Sequence, residues 1–172
     1  MKESMSALLE LLQIDQNMPV AELNVGQLVE ILNFSSFPPT CADFAGIAVG
    51  QQYPNHHMLM VNGVRFHLYY NGGGRISEWG AYPGEHFLEM VGDVGSVIID
   101  SPFKATLIDL EVMQAGPDPV EIRYYNNAGH LLGTVTTTQK DVVEHIRITG
   151  TNLTIVSMHN PELLIRKVCF QA

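Results

Sequence analysis

Charge of either sign is scarce in this 172-residue chain, and positive charge is scarcer than negative charge. Charged residues make up 16% of the sequence, against about 25% in a typical soluble domain. The 9 Lys and Arg are scattered and stand against 18 Asp and Glu, so no basic stripe could neutralise a run of phosphates. The net charge of -9 therefore predicts no nucleic-acid partner and favours solubility.

Long hydrophobic runs are also absent. No stretch approaches the roughly 18 consecutive apolar residues that suggest a membrane-spanning helix, so no membrane span is predicted. Acidic residues interrupt the apolar residues of segment 1–15, and no small-residue cleavage site follows it, which is unlike a secretory signal. On this basis we expect a cytoplasmic location.

Cysteine is limited to Cys41 and Cys169, which lie far apart in the sequence. Cys41 comes before the first predicted strand, whereas Cys169 falls in the last one. A disulfide between them is one alternative. We favour two buried free thiols, because free cysteine is among the most buried residue types.

Two short amphipathic helices are predicted within residues 1–33. Apolar residues recur at helical spacing over 4–14, and Asn24 with Gln27 forms a capping-box pattern before a second helix over 25–33. Short helices with apolar faces need a surface to cover them. They would pack on the rest of the chain or pair with another subunit, which predicts a homo-oligomer through residues 1–33.

Beyond the helices, Pro38 and Pro39 mark a linker, because consecutive prolines exclude both helix and central strand. We place the domain boundary there, with a helical segment and linker over 1–40 and a β domain over 41–172. The period of the apolar residues changes to two after the linker, which indicates half-buried strands.

Eleven short strands are predicted in the β domain, separated by turn sequences such as Asn62-Gly63. Their ranges are 46–49, 57–61, 64–70, 86–91, 95–100, 105–113, 119–125, 131–137, 143–148, 153–158 and 163–170. No segment between them is typical of a crossover helix, which argues against a parallel sheet. The pattern predicts a mainly-β fold, an antiparallel jelly-roll-like β-sandwich with a short N-terminal helical segment.

The last fifty residues contain four strand-like stretches in a recognisable order. They read VEIRYYNNAGHLLGTV from 120, VEHIRITG from 143, LTIVSM from 153 and LIRKVCF from 164. This order resembles the closing part of jelly-roll modules of the galactose-binding or carbohydrate-binding type. The resemblance implies a non-catalytic binding domain. Such modules often carry an acidic pair near the end, where this chain has Arg166 and Lys167.

Aromatic side chains are concentrated between the third and fourth of the eleven predicted strands. Tyr69 and Tyr70 end one strand, and Trp79 and Tyr82 follow the triple glycine and Arg75. Aromatic faces beside polar groups are typical of sugar-binding surfaces, so these five residues are the predicted ligand-binding set. The alternative is that the single Trp of a sandwich is a core residue.

Four histidines, His56, His57, His67 and His86, fall in the first half of the β domain. A transition metal would need three or four such ligands to converge, and their spacing matches no known ligand signature. Surface or hydrogen-bonding histidines are the alternative. We predict no cofactor, with calcium or a transition metal as the alternatives that these residues leave open.

No catalytic residues are predicted, because the chain contains no Gly-x-Ser-x-Gly elbow and no cysteine in an activating context. The leading hypothesis is a non-catalytic binding module for a glycan or a protein surface. The second is a structural or assembly protein that oligomerises through its N-terminal helices. The third is a metal-dependent β-barrel enzyme.

Overall fold

A computed structural model describes residues 38–160 and 162–172. Within these residues the chain forms eleven β-strands. They are β1 Thr40–Asp43, β2 Gln52–Tyr53, β3 Met58–Val61, β4 Val64–Tyr70, β5 Gly74–Trp79, β6 Tyr82–Met90, β7 Gly95–Gln114, β8 Glu121–Asn126, β9 Leu131–Thr136, β10 Val143–His159 and β11 Leu163–Gln171. Every pairing between these strands is antiparallel, which confirms the predicted mainly-β antiparallel fold.

The helices and the oligomer contacts predicted within residues 1–33 lie outside the described residues. In the described part of the chain, no helix has the length and hydrophobicity to cross a bilayer.

Two long strands, β7 and β10, each contribute to two layers. They pair along most of their length, with register shifts between Thr149 and Leu153 and between Leu153 and Ile155. Such irregularities let a strand pass from one layer of a sandwich to the other. Layer A has the order β3-β4-β7-β10-β8-β9, and layer B contains β2, β5, β6, β11 and the other halves of β7 and β10, with β1 beside β11.

The main core lies between the two layers. Its buried apolar side chains come from both, and Phe44 after β1 meets Phe66 of β4 with ring centroids 5.5 Å apart. Burial of each large apolar side chain stabilises the fold by about 1.5–3 kcal/mol. Val64, Phe66, Leu68 and Tyr70 point into this core, so the residues between them on β4 point outward.

A smaller buried cluster lies on the other side of layer B. It contains Phe87, Met113, Val143 and Leu164, whose sequence neighbours Leu88, Val112 and Ile165 belong to the main core. Since successive strand residues point to opposite faces, the two clusters lie on opposite faces of the layer. Trp79 and Tyr82 pack against this smaller cluster.

Cys41 and Cys169 form a disulfide, so our interpretation of two free thiols is wrong. The two residues are direct partners in the register of β1 and β11, and their Cα atoms lie 4.0 Å apart. Their 128-residue separation gives no local sign of this proximity. Only the pairing of the chain's ends brings them together.

The strand boundaries differ from prediction in two ways. Segment 46–49 is a loop, and β1, β2 and β5 lie where no strand was predicted. The two strands predicted over 95–100 and 105–113 are one continuous strand, β7. Likewise, the two strands predicted over 143–148 and 153–158 are one continuous strand, β10. In both cases the apparent break is the place where a strand changes layers.

Candidate functional site

The outward side of β4 carries Arg65, His67 and Tyr69. Each of these residues begins a row of neighbouring side chains that crosses layer A. A row runs from the residue on β4 to its register partner on β7, and from there to the partners on β10 and β8. We call this surface the β4 face. Its members are Arg65, His67, Tyr69, Ser96, Ile98, Asp100, Glu121, Arg123, Tyr125, Ile155, Ser157 and His159.

Tyr69 is the exposed aromatic residue of the β4 face, with 41% of its surface accessible. The ring of His67 lies nearly parallel to it, with an interplanar angle of 8° and centroids 6.5 Å apart. The ring of His56 meets Tyr69 edge-on at 5.5 Å. Tyr69 is therefore a partly exposed ring held between two histidines.

A backbone irregularity positions His56. The residue has a positive φ of 61°, and its amide donates to the carbonyl of Leu68 while the amide of Leu68 donates to the carbonyl of His57. This is the bonding pattern of a β-bulge, in which two residues stand opposite one. Histidine tolerates positive φ better than most residues, and the bulge directs its ring toward Tyr69.

The charged groups of the β4 face are paired with one another. His67 Nε2 donates to Asp100 Oδ2 at 2.9 Å, and an Arg65 nitrogen lies 3.6 Å from the same oxygen. Arg123 pairs with Glu121 at 2.5 Å. The face therefore presents donors and acceptors without a large excess of one charge.

His159 lies on the same face, where one ring nitrogen is 3.2 Å from the Ser157 hydroxyl. Burial lowers the pKa of His159, and the positive charge of Arg123 lowers it further, while Glu121 acts in the opposite direction. The lowered pKa favours a neutral ring near pH 7.

A cavity of about 380 Å³ borders the loop that carries His56 and His57. It is lined by Gln52, Tyr53, Pro54, Gly72, Gly74, Arg75 and Val91. The Tyr53 ring stacks on His57 at 5.2 Å, and burial raises the pKa of Tyr53. The two adjacent histidines thus connect the cavity with the β4 face.

The triple glycine beside this cavity is a tight turn. Gly73 has a positive φ of 73°, and a Cβ atom at this position would collide with the carbonyl oxygen of Tyr53. The backbone of the turn is also bonded to its surroundings, because Gly72 donates to Val91 and Gly73 donates to Tyr70 at 2.8 Å. Glycine is required here by close packing.

The five predicted ligand-binding residues do not share one surface. Tyr69 and Arg75 lie at the end of the sandwich where β4 turns into β5, and Arg75 donates two 2.7 Å bonds to Glu89. Trp79 and Tyr82 lie at the other end of β5 and pack on the smaller cluster. Tyr70 is fully buried, so we remove it from the candidate surface.

The four candidate metal ligands are divided among three surroundings. His56 and His67 flank Tyr69, His57 stacks on Tyr53, and His86 Nδ1 donates to the carbonyl of Ile47 at 2.9 Å. Across residues 38–160 and 162–172, no group of three or more His, Cys, Asp or Glu side chains is arranged to hold a metal ion.

Sequence reasoning missed most of the β4 face. Arg65, Asp100, Arg123 and His159 belong to separate strands, and their proximity depends on strand order. The period-two pattern of β4 could have grouped Arg65, His67 and Tyr69 on one side and excluded Tyr70. Tyr53 had no local signal, because β2 is only two residues long.

The class that the fold and surface define is an antiparallel β-sandwich with an exposed aromatic and polar face. No family model matches the chain, and no curated protein matches its sequence.

Solved structures similar to this chain include several family 29 carbohydrate-binding modules. One is a single-substitution variant with 14% identity and a TM-score of 0.45, covering 70% of this chain and 89% of its own. Another family 29 module has 13% identity and a TM-score of 0.43 over 78% and 89% of the two chains. A variant complexed with mannohexaose has 14% identity and a TM-score of 0.43 over 78% and 92%. Likeness at this level bears on neither the ligand nor the mechanism of this chain.

Proposed function

We propose that this protein is a non-catalytic binding module, built on a jelly-roll-like sandwich, that recognises a glycan through the β4 face. The observation that supports this most directly is the exposure of Tyr69 between His56 and His67. An aromatic ring combines a large apolar surface with a polar tip. Such a ring can cover the apolar side of a sugar while its hydroxyl stays hydrated.

The polar groups around Tyr69 supply the second part of the interaction. Asp100 offers carboxylate oxygens, whereas Arg65 and His67 offer N–H donors beside it. A few placed polar groups within an apolar surface are what fixes the orientation of a small ligand. Sugar hydroxyls both donate and accept hydrogen bonds, so they match this mixed set.

The position of the site on a central strand favours a preorganised surface. β4 is bonded to β3 on one side and β7 on the other, and strands hold side chains more precisely than loops do. We extend the surface to the cavity of Tyr53 and Arg75, which the His56–His57 loop joins to Tyr69. We treat Trp79 and Tyr82 as packing residues.

The test is binding to an array of polysaccharides and to affinity gels, followed by substitution. We expect Tyr69→Ala to weaken binding roughly fivefold or more, since an aromatic contact is worth about 1 kcal/mol or more, and Tyr69→Phe to retain most of it. Val94→Ala, at an exposed position in the turn before β7, is the control for surface substitution and should bind like the parent.

The same assay separates the two groups of aromatic residues predicted from sequence. Trp79→Ala should lower thermal stability and leave the affinity of the folded fraction unchanged, because Trp79 packs against a buried cluster. Parent-like binding by folded Tyr69→Ala would remove the β4 face as the site. Loss of binding in folded Trp79→Ala would move the site to the other end of β5.

A further inference from the structure

Strand β3 is one of the two edges of layer A, the other being β9, and the hydrogen-bonding pattern fixes the directions of its backbone groups. Val61 and Val64 close the two-residue turn, and the amide of Leu68 donates to His57. Bonded and non-bonded pairs alternate in an antiparallel ladder. Leu59 and Val61 therefore bond to β4, whereas Met58 and Met60 direct their N–H and C=O groups away from it. In the described part of the chain, β3 pairs with β4 alone.

The side chains of this edge are apolar and exposed. Met58 and Met60 have 52% and 59% of their surfaces accessible, and they lie beside His67 and Arg65 of the β4 face. Methionine is flexible and adapts to a partner's shape. Exposed apolar area on this edge would be removed from water by a neighbouring strand.

Charge does not protect this edge. No Asp, Glu, Lys or Arg occurs between Asp43 and Arg65, although the whole chain carries -9. Natural edges are often blunted by charged residues or proline; β3 contains neither, although it is only four residues long and a bulge at His56 and His57 precedes it. The edge is thus a neutral strip on an acidic protein, where a second acidic copy can approach with little repulsion.

We propose that β3 pairs antiparallel with β3 of a second copy and forms a twofold-symmetric dimer. In this arrangement Met58 lies opposite Met60 of the partner subunit, and the pair exchanges both backbone bonds. The twofold axis generates a second, identical pair, in which Met60 of the first copy lies opposite Met58 of the partner subunit. A second copy is favoured because the edge complements itself in backbone groups, in apolar side chains and in the absence of charge.

The dimer would join two β4 faces into one surface. Edge-to-edge pairing keeps the outward sides of both copies on the same side of the continuous sheet. The two copies of β4 would be separated by three strand spacings, about 14 Å. If the proposed glycan function holds, one polymeric ligand could contact both copies of Tyr69 and gain avidity. The dimer itself does not depend on that function.

The mass of the full chain in solution, measured by light scattering across a concentration series, tests the proposal. We expect a monomer–dimer equilibrium that Met60→Lys and Met58→Lys each shift to the monomer, because each introduced charge lies opposite an apolar methionine of the partner and diagonal to the same charge on the second copy. Leu132→Lys places the same charge on β9, the opposite edge of layer A, and should leave the dimer intact. Circular dichroism establishes that each variant is folded.

Hydrogen exchange gives an independent readout. The amides of Met58 and Met60 should be protected at high protein concentration and exchange rapidly in the Met60→Lys variant or on dilution, whereas Leu59 stays protected in both. A chain that is monomeric throughout, or a dimer that Leu132→Lys disrupts and Met60→Lys does not, would overturn the proposal. Glycan binding by a folded monomeric variant would support the site while leaving the dimer to be judged by mass alone.

Discussion

The hydroxyl of Tyr70 donates a hydrogen bond of 2.7 Å to the carbonyl oxygen of Asn160, a residue 90 positions later in the chain. The side-chain amide of Asn160 donates in turn to the carbonyl oxygens of Asp118 and Pro119. This arrangement ties the end of β4 to two loops inside a buried region. It also explains why Tyr70, unlike its neighbour Tyr69, has a structural role.

Removal of the Tyr70 hydroxyl should lower stability. Tyr70→Phe keeps the ring and deletes the bond to Asn160, so we expect the free energy of unfolding to fall by about 1 kcal/mol or more. Urea denaturation measures the change. The matched control is Tyr69→Phe, whose hydroxyl belongs to an exposed residue; an equal loss in both variants would contradict the assigned role.

Tyr70 should also make the protein sensitive to alkali. Burial raises the pKa of Tyr70 from 10.0 to about 12, so between these values the unfolded chain has released a proton that the folded chain still holds. Stability therefore falls as pH rises through this range, by roughly 2–3 kcal/mol from this group. Denaturation curves of the parent should lose more stability than those of Tyr70→Phe, and parallel curves would refute the prediction.

His159 should make the free energy of unfolding depend on pH in the acidic range. Its pKa lies below the ordinary 6.5, chiefly because of burial and also because of Arg123. Below pH 6.5 the unfolded chain binds a proton more readily than the folded chain, so stability falls as pH falls. We expect His159→Gln to have a flatter acid profile than the parent. An acid profile of His159→Gln that runs parallel to the parent's would contradict the prediction.

The Cys41–Cys169 disulfide should contribute strongly to stability, because it closes a loop of 128 residues. Replacing both cysteines by serine should lower the free energy of unfolding by about 2–5 kcal/mol. A reducing agent should lower the denaturation midpoint of the parent and leave that of the double variant unchanged. Equal midpoints for parent and variant would mean that strand pairing alone holds β1.

The state of these cysteines in cells tests the predicted cytoplasmic location. Disulfides persist mainly in oxidising compartments. Thiol labelling of the protein immediately after cell lysis should modify both cysteines if the cytoplasmic prediction is correct. Unmodified cysteines would place folding in an oxidising compartment.

Local sequence was informative where a strand has one buried and one exposed side. The apolar alternation over 64–70 predicted β4 with the bounds that the structure shows, and Asn62-Gly63 forms the tight turn before it, with φ values of 48° and 83°. Local sequence did not predict β1, because its four residues form a strand through their pairing with β11. It also divided β7 at Ser101 and Pro102, because residues that resemble a turn lie where the strand changes layers.

The sequence by itself determined the antiparallel β character of the chain and the presence of an aromatic segment, since both follow from period, turn residues and composition. Only the tertiary structure decided that Tyr69 faces solvent while Tyr70 faces the core, that Cys41 meets Cys169, and that His67 lies beside Asp100. These relations depend on strand order and register. Strand order and register are set by the need to bury one face of every strand at the same time. No local stretch of sequence contains this information.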